Sequence, residues 1–215
     1  MTIPSKAGMF ITIEGGDGAG KTTQIIALRA FLEEKGHRVT VTREPGGSDN
    51  AEQLRDVLLS QPSVPWQPWT EAFLIAASRR EHVSELIAPA LAAGGVVICD
   101  RYSDSTLAYQ GYGRGLPLAD LQLIIDQAEQ GTRPDLVIIL DIDPTLAANR
   151  LEKRGEEVSV FEKQGADFQA RIRQGYLDLA AGEPERYVVI DAGQDPALVS
   201  DAISQRVTQL FEARS

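Results

Sequence analysis

Two patterns of apolar and polar positions alternate along the chain. Short β-branched runs occur at "MFITIE" (9–14), "RVTVT" (38–42), "VVICD" (96–100), "LVIILD" (136–141) and "YVVID" (187–191). Several are apolar at every position rather than every second one, which marks strands covered on both faces. Between them lie amphipathic stretches of helical period, at about 20–35, 50–60, 70–93, 118–130, 144–155, 162–181 and 195–213. Gly36 is placed to stop the first of these helices. Strand followed by helix, repeated, predicts an α/β fold: a five-stranded parallel sheet flanked by helices and joined by right-handed crossovers. Ligands of such sheets sit beyond the carboxyl ends of the strands. The chemistry is therefore expected just after the five runs.

The first such position carries the strongest signal. Gly15, Gly20, Lys21 and Thr22 satisfy G-x-x-x-x-G-K-[ST], with a strand before and a helix after. Residues Gly15, Gly16, Asp17, Gly18, Ala19 and Gly20 form the loop, whose backbone N–H groups can turn inward around phosphate oxygens. The helix starting near Gly20 adds its positive N-terminal end. Lys21 is expected to reach the β- and γ-phosphates of a nucleoside triphosphate, and Thr22 to set its hydroxyl on Mg²⁺. Asp100, ending the third strand, is expected to hold the same Mg²⁺ through water, with Arg101 at the same mouth. Asp17 is the odd residue of the loop. Two like charges about 6 Å apart at an effective dielectric of about 20 repel by about 3 kcal/mol.

Length and charge narrow the class. The chain has 215 residues, which suits a single domain, with residues 1–8 expected as a flexible tail. A net charge of −10 argues against a nucleic-acid coat while leaving room for small anions held by local positive charge. The one cysteine, Cys99, lies in an apolar strand and reads as buried and inert. No apolar run approaches the length of a membrane span, and the setting expected is soluble, reducing and cytoplasmic. His37 and His82 read as surface or helix-face residues. Trp66 and Trp69, in a Pro-rich connector, are expected to pack over the core.

No N-K-x-D guanine reader is present, and the chain is short for a motor ATPase. A phosphotransferase acting on a small acceptor needs a second anion pocket and a basic lid. Arg43, Arg79, Arg101 and Arg114, with Glu44, Thr106 and Gln110, are the candidates to converge on the pocket. The lid candidate covers about 150–168, where Arg150 and Arg154 share a helix face beside Lys153.

The blocks "IEGGDGAGKTTQ", "TREPGG", "DRYSDSTLAYQG", "RPDLVIILDIDP" and "FQARIRQGYLDLA" resemble, in order, those of the thymidylate kinases, from about Phe10 to Phe211. The resemblance implies a nucleoside-monophosphate-kinase fold with a mobile lid, transfer of phosphate from ATP to dTMP, and a homodimer packed through helices. It implies that Arg79 and Arg101 hold the acceptor phosphate, that Thr106 and Gln110 face the pyrimidine and sugar, and that Glu44 lines the same pocket. Asp17 would turn from ATP toward the acceptor's 3′-hydroxyl. Arg150 would lie near the adenine and Arg154 near the phosphates. Because residues 16 to 19 are Gly-Asp-Gly-Ala, with no arginine, the loop resembles the bacterial subtype, in which the lid supplies the catalytic charge. Two positions depart from the family. Ile75 stands where a phenylalanine usually stacks on thymine, and "EEVSVFEK" replaces the usual D-R-x-E run, with Glu162 matching its last acid. The residues themselves leave two other readings open: a kinase for another deoxynucleoside monophosphate, and a nucleotide-gated regulator without transfer.

Overall fold

The structure is a computed structural model that describes residues 8–60, 64–154 and 165–214. Its strands are β1 (Met9–Glu14), β2 (Val39–Arg43), β3 (Val96–Asp100), β4 (Leu136–Asp141) and β5 (Tyr187–Asp191). All pair in parallel in the order β2-β3-β1-β4-β5. The chain runs from central β1 out to edge β2, returns through β3, and crosses to β4 and β5 on the other side. The direction of winding therefore reverses between β1 and β3, where a crevice opens at the carboxyl ends. The register sets Ile13 of β1 opposite Asp100 of β3, so the loops after these two strands leave the sheet side by side.

Successive side chains of one strand reach opposite layers. Met9, Ile11 and Ile13 pack with Ile25, Leu28 and Leu32 of α1 (Lys21–Glu34) and Val199, Ile203 and Val207 of α9 (Pro196–Ala213). Phe10 faces the other side, with Val97, Cys99, Val83, Ile87 and Tyr102. Val137 and Ile139 of β4 meet Tyr109, Phe168, Ile172 and Tyr176 on that same side. These two faces explain the unbroken apolar runs. Cys99 is fully buried, as expected.

The remaining helices are α2 (Asp49–Leu59), α3 (Pro68–His82), α4 (Ala88–Ala92), α5 (Ser103–Thr106), α6 (Leu118–Glu129), α7 (Pro144–Arg154) and α8 (Ala166–Gly182). The single helix expected over 70–93 is a continuous rod whose middle, Val83–Ile87, widens into a π-helical turn between α3 and α4. The segment after β3 lies outside the helical stretches that the periodicity predicts. It is helical: α5 runs into a second π-helical turn, Leu107–Gly113. Its glycines and polar residues hid that helix. Tertiary packing forms it, with Ala108 and Tyr109 against Phe168 and Ile172 of α8. Of the tail expected over 1–8, residues 1–7 lie outside the described residues. Gly8 is packed, since a Cβ there would meet the Leu91 carbonyl oxygen at 2.5 Å.

Candidate active site

The loop after β1 folds as its motif predicts. Gly15 has φ +133°, and a Cβ on it would meet the Leu140 carbonyl oxygen at 2.5 Å, so only glycine lets the loop pass β4. Gly20 is the N-cap of α1 in the left-handed region, with open space where a Cβ would be. Lys21 is 8% exposed, and its Nζ donates to the carbonyls of Gly15 and Gly16 at 3.2 and 3.1 Å. Burial, and then Arg101, pull its ammonium below the usual lysine pKa against the opposing pull of Asp100, Asp17 and Glu14. Thr22 is exposed on the first turn of α1, and Ala19 is buried beneath the loop.

A cavity of about 340 Å³ opens at the crevice between β1 and β3. Asp17, Gly18, Gly20, Lys21, Thr22, Glu44, Ile75, Arg79, Asp100, Arg101, Thr106 and Gln110 all line it. Residues from β1, β2, β3 and α3 therefore meet at one mouth, as expected of strand-end chemistry. Sequence reasoning missed Arg55, Leu58 and Leu59 of α2 and Ser105 of α5, which line it too. Arg55 donates to the Pro45 carbonyl oxygen at 2.6 Å. On α2 alone these residues are an ordinary amphipathic pattern, and no local signal sets them apart.

Arg79 is 1% exposed. Its Nε donates to Glu44 Oε2 at 2.7 Å and its Nη2 to Thr106 Oγ1 at 3.0 Å. Its Nη1 is buried with no partner among the described residues. Burial opposes the Arg79 charge, but Glu44 outweighs it, and the guanidinium pKa rises above the ordinary value. Glu44 is braced from behind by His82, whose Nδ1 lies 3.0 Å from Glu44 Oε1 and whose Nε2 lies 2.7 Å from Thr42 Oγ1. Of the two readings given for His82, the helix face holds, since it is the last residue of α3, and the surface does not, since it is fully buried. The polar site behind Glu44 accounts for that burial.

Arg101 has φ +68°, a left-handed conformation that a non-glycine residue seldom takes. The turn reverses the chain just after β3, while the Arg101 N–H still donates to the Ile13 carbonyl at 3.0 Å. Its Nη2 donates to Asp17 Oδ1 at 2.6 Å, and its guanidinium lies 4.9 Å from the centre of the Tyr109 ring. Burial raises the Asp17 carboxyl, but Arg101 and then Lys21 outweigh it and hold the pKa below the ordinary value. The loop's acid is thus compensated inside the protein. Asp100 Oδ1 is buried with no partner among the described residues, as are both side-chain amide atoms of Gln110.

Other expected residues stand elsewhere. Arg114 turns away from the cavity to Glu71, 2.8 Å from Nη2, and its guanidinium covers Phe168 at 5.4 Å. Arg43 lines the cavity and also pairs with Glu52 at 3.0 Å. Ile75 is 9% exposed in the wall, whereas Phe73, two residues earlier, is 56% exposed. The helical offset therefore keeps Phe73 from replacing the missing ring. Arg150 is half-buried on α7 and lines neither this cavity nor the one behind the loop. The Arg154 side chain and the stretch 155–164, including Glu162, lie outside the described residues. The second cavity, about 440 Å³, is walled by Gly15, Gly16, Ile142, Ala147 and Leu151. Asp141 and Arg173 close its edge with two hydrogen bonds of 2.7 and 2.8 Å.

Among known proteins, a family model described as thymidylate kinase matches residues 13–203. A thymidylate kinase of Deinococcus radiodurans is 49% identical over 185 residues, covering 86% of this chain and 89% of its own. One of Clavibacter sepedonicus is 46% identical over 206 residues, covering 96% and 97%. The crystal structure of thymidylate kinase from Ehrlichia chaffeensis superposes with a TM-score of 0.77 at 33% identity, over 94% of this chain and 99% of that one. The phosphate loop, the two arginines and the buried amide that meet at this crevice thus belong to a chain that is a member of the thymidylate kinase family.

Proposed function

We propose that this chain transfers the γ-phosphoryl group of ATP to dTMP, giving dTDP, in the cavity between β1 and β3. The observation that carries this reading is that Arg79 and the Gln110 amide, both buried with unpartnered polar atoms, share one cavity with Lys21. A buried unpartnered guanidinium nitrogen suits a phosphate oxygen. A primary amide both donates and accepts, which matches the N3–H and O4 edge of thymine.

ATP would lie on residues Gly15 to Thr22, with Arg150 toward the adenine. Arg79 and Arg101 would hold the acceptor phosphate, with Thr106 and Gln110 on the sugar and base, Glu44 fixing Arg79, and Ile75 against the base. The attacking phosphate oxygen is already ionised at neutral pH, so no strong general base is needed. Catalysis is then alignment of donor and acceptor together with charge neutralisation by Lys21, Arg101 and Arg154. Closure of a lid over about 150–168 would exclude water. The orphaned Asp100 oxygen and the exposed Thr22 hydroxyl suit a hydrated Mg²⁺ that is held mainly by nucleotide phosphates. Bound Mg²⁺ would neutralise phosphate charge. No group of three or more His, Cys, Asp or Glu side chains suited to a metal occurs among the described residues, in keeping with a metal that arrives with ATP.

A homodimer fits the exposed apolar side chains of Val57 on α2, Phe73 on α3 and Leu123 on α6, which are neighbouring helices. No described helix is long and apolar enough to cross a membrane. A net charge of −10 and a single buried cysteine suit a cytoplasmic enzyme without nucleic-acid partners.

The test is ADP release with ATP across a panel of deoxynucleoside monophosphates. Turnover is expected to be highest with dTMP. A higher kcat/KM for another monophosphate would reassign the acceptor. ATP binding with no acceptor-dependent turnover would make the chain a regulator.

A further inference from the structure

One carboxylate at the site has no part in the reading above. Glu14, the last residue of β1, is fully buried and lines neither cavity. Both of its oxygens are used as acceptors. Oε1 accepts from the Tyr102 backbone N–H at 2.6 Å. Oε2 accepts from the Ser105 hydroxyl at 2.6 Å and from the Tyr176 hydroxyl at 3.1 Å. The two hydroxyl oxygens lie 2.8 Å apart. Arg101 Nη1 in turn donates to both of them, at 3.3 Å to Ser105 and 3.2 Å to Tyr176.

The chemistry of these groups gives the array a direction. Each hydroxyl has one proton and two lone pairs. An ionised carboxylate only accepts, so the hydroxyl protons run toward Glu14, either directly or with one hydroxyl donating to the other, and lone pairs are left for the guanidinium. We propose that Glu14 is a positioning residue for phosphoryl transfer, acting through the Ser105 and Tyr176 hydroxyls to fix Arg101 at the acceptor phosphate. Arg101 needs such fixing. It sits on a left-handed turn, and its other anchor, Asp17, belongs to the donor loop and is partly exposed. Glu14 ties the same guanidinium to the sheet itself.

The carboxylate is held there against a cost. Burial, and then the nearby Asp104, push its pKa up to about 7, while Ser105, Arg101 and the Tyr102 N–H pull the other way. A glutamine of the same shape has no orientation that fits. With its NH₂ at the Oε2 position it donates into the hydroxyls, and at least one hydroxyl proton loses its acceptor and is turned toward the Arg101 donors. With its NH₂ at the Oε1 position it confronts the Tyr102 N–H. Either way one donor opposes another.

This inference rests on the assignment of Arg101 to the acceptor phosphate, and the experiment separates the two. At pH 8, initial rates are measured for the full chain, Glu14→Gln, Ser105→Ala, their double variant and Arg101→Ala, with dTMP and ATP varied in turn. The expectation is that Glu14→Gln and Ser105→Ala each lower kcat/KM for dTMP by about tenfold, the scale of a lost hydrogen bond to a charged group. KM for ATP should change by less than about twofold, and the double variant should lose less than the product of the two. Should Glu14→Gln not fold, Tyr176→Phe, which removes the hydroxyl that stands outside the acceptor cavity, is measured in its place. Unchanged dTMP kinetics in the tested variants, equal losses toward both substrates, or fully multiplicative losses would overturn the positioning role. Unchanged dTMP kinetics in Arg101→Ala would instead overturn the assignment of the site.

Discussion

The cavity has two arginine-bearing walls, and they are held differently. On the wall built from β2 and α3, Arg79 meets Glu44 directly, and His82 stands behind the carboxylate. Every member of that set is buried. On the wall built from β3, Arg101 reaches one acid directly, Asp17 on the donor loop. It reaches a second, Glu14, only through two hydroxyls. The first wall is a closed buried ion pair whose parts depend on one another. The second is a junction that touches donor loop, sheet and α8 at once. A buried ion pair contributes mainly by not being broken, whereas a shared cation at a junction contributes where charge must move. The difference predicts that damage to the first wall costs stability in addition to dTMP binding, whereas damage to the second costs turnover with little loss of stability.

Four substitutions press on that contrast. Arg79→Ala leaves the Glu44 carboxylate buried with its arginine gone. It should lower unfolding free energy by about 3–5 kcal/mol in urea denaturation. A loss under about 1 kcal/mol would mean that His82 suffices to hold Glu44, and the first wall would not be a mutually dependent set. Arg101→Ala should lower kcat/KM for dTMP by about 100–1000-fold with a stability change near 1 kcal/mol or less, because Asp17 is left beside solvent. A stability loss as large as that of Arg79→Ala would erase the contrast.

The third substitution tests the proposed contact of Asp17 with the acceptor. Asp17→Ala should cost dTMP about 1.5–3 kcal/mol of transition-state binding more than it costs the 3′-deoxy analogue, as expected for a hydroxyl hydrogen bond to a carboxylate. Equal losses on both substrates would leave Asp17 acting on Arg101 alone. The smallest effect is expected at Ile75, which lies in the first wall and is proposed to rest against the base. Ile75→Phe should lower KM for dTMP about fivefold, the worth of about 1 kcal/mol of ring stacking. An unchanged KM would show that Leu58, Leu59 and Tyr109 already complete the base pocket.

Much of this site is visible along the chain, and the reasons are local. The loop from Gly15 to Thr22 is contiguous, so its spacing alone encodes a backbone cradle. Asp100 and Arg101 follow a strand, and strand ends are where a parallel sheet presents its ligands. Arg79 and Ile75 share a helix face at i and i+4, which pattern reading captures. Other features stayed hidden because the pairings that make them are remote. His82 and Thr42 are 40 positions apart, and Tyr176 and Glu14 are 162 apart. Arg114 follows the same third strand as Arg101, yet Glu71, 43 positions away, claims it. The helix after β3 carries glycines that hide it from pattern reading, and its packing against α8, α6 and α3 stabilises it.

By itself, then, the sequence determined the layered α/β architecture, the phosphate loop and the family, because periodicity and contiguous motifs act through neighbouring residues. The tertiary structure alone decided which acids compensate which arginines. It set Glu14 behind Arg101, His82 behind Glu44 and Arg114 outside the cavity. The physical reason is that a charge in a low-dielectric interior is governed by the groups within a few ångströms of it. Which groups those are depends on how the strands are ordered in the sheet.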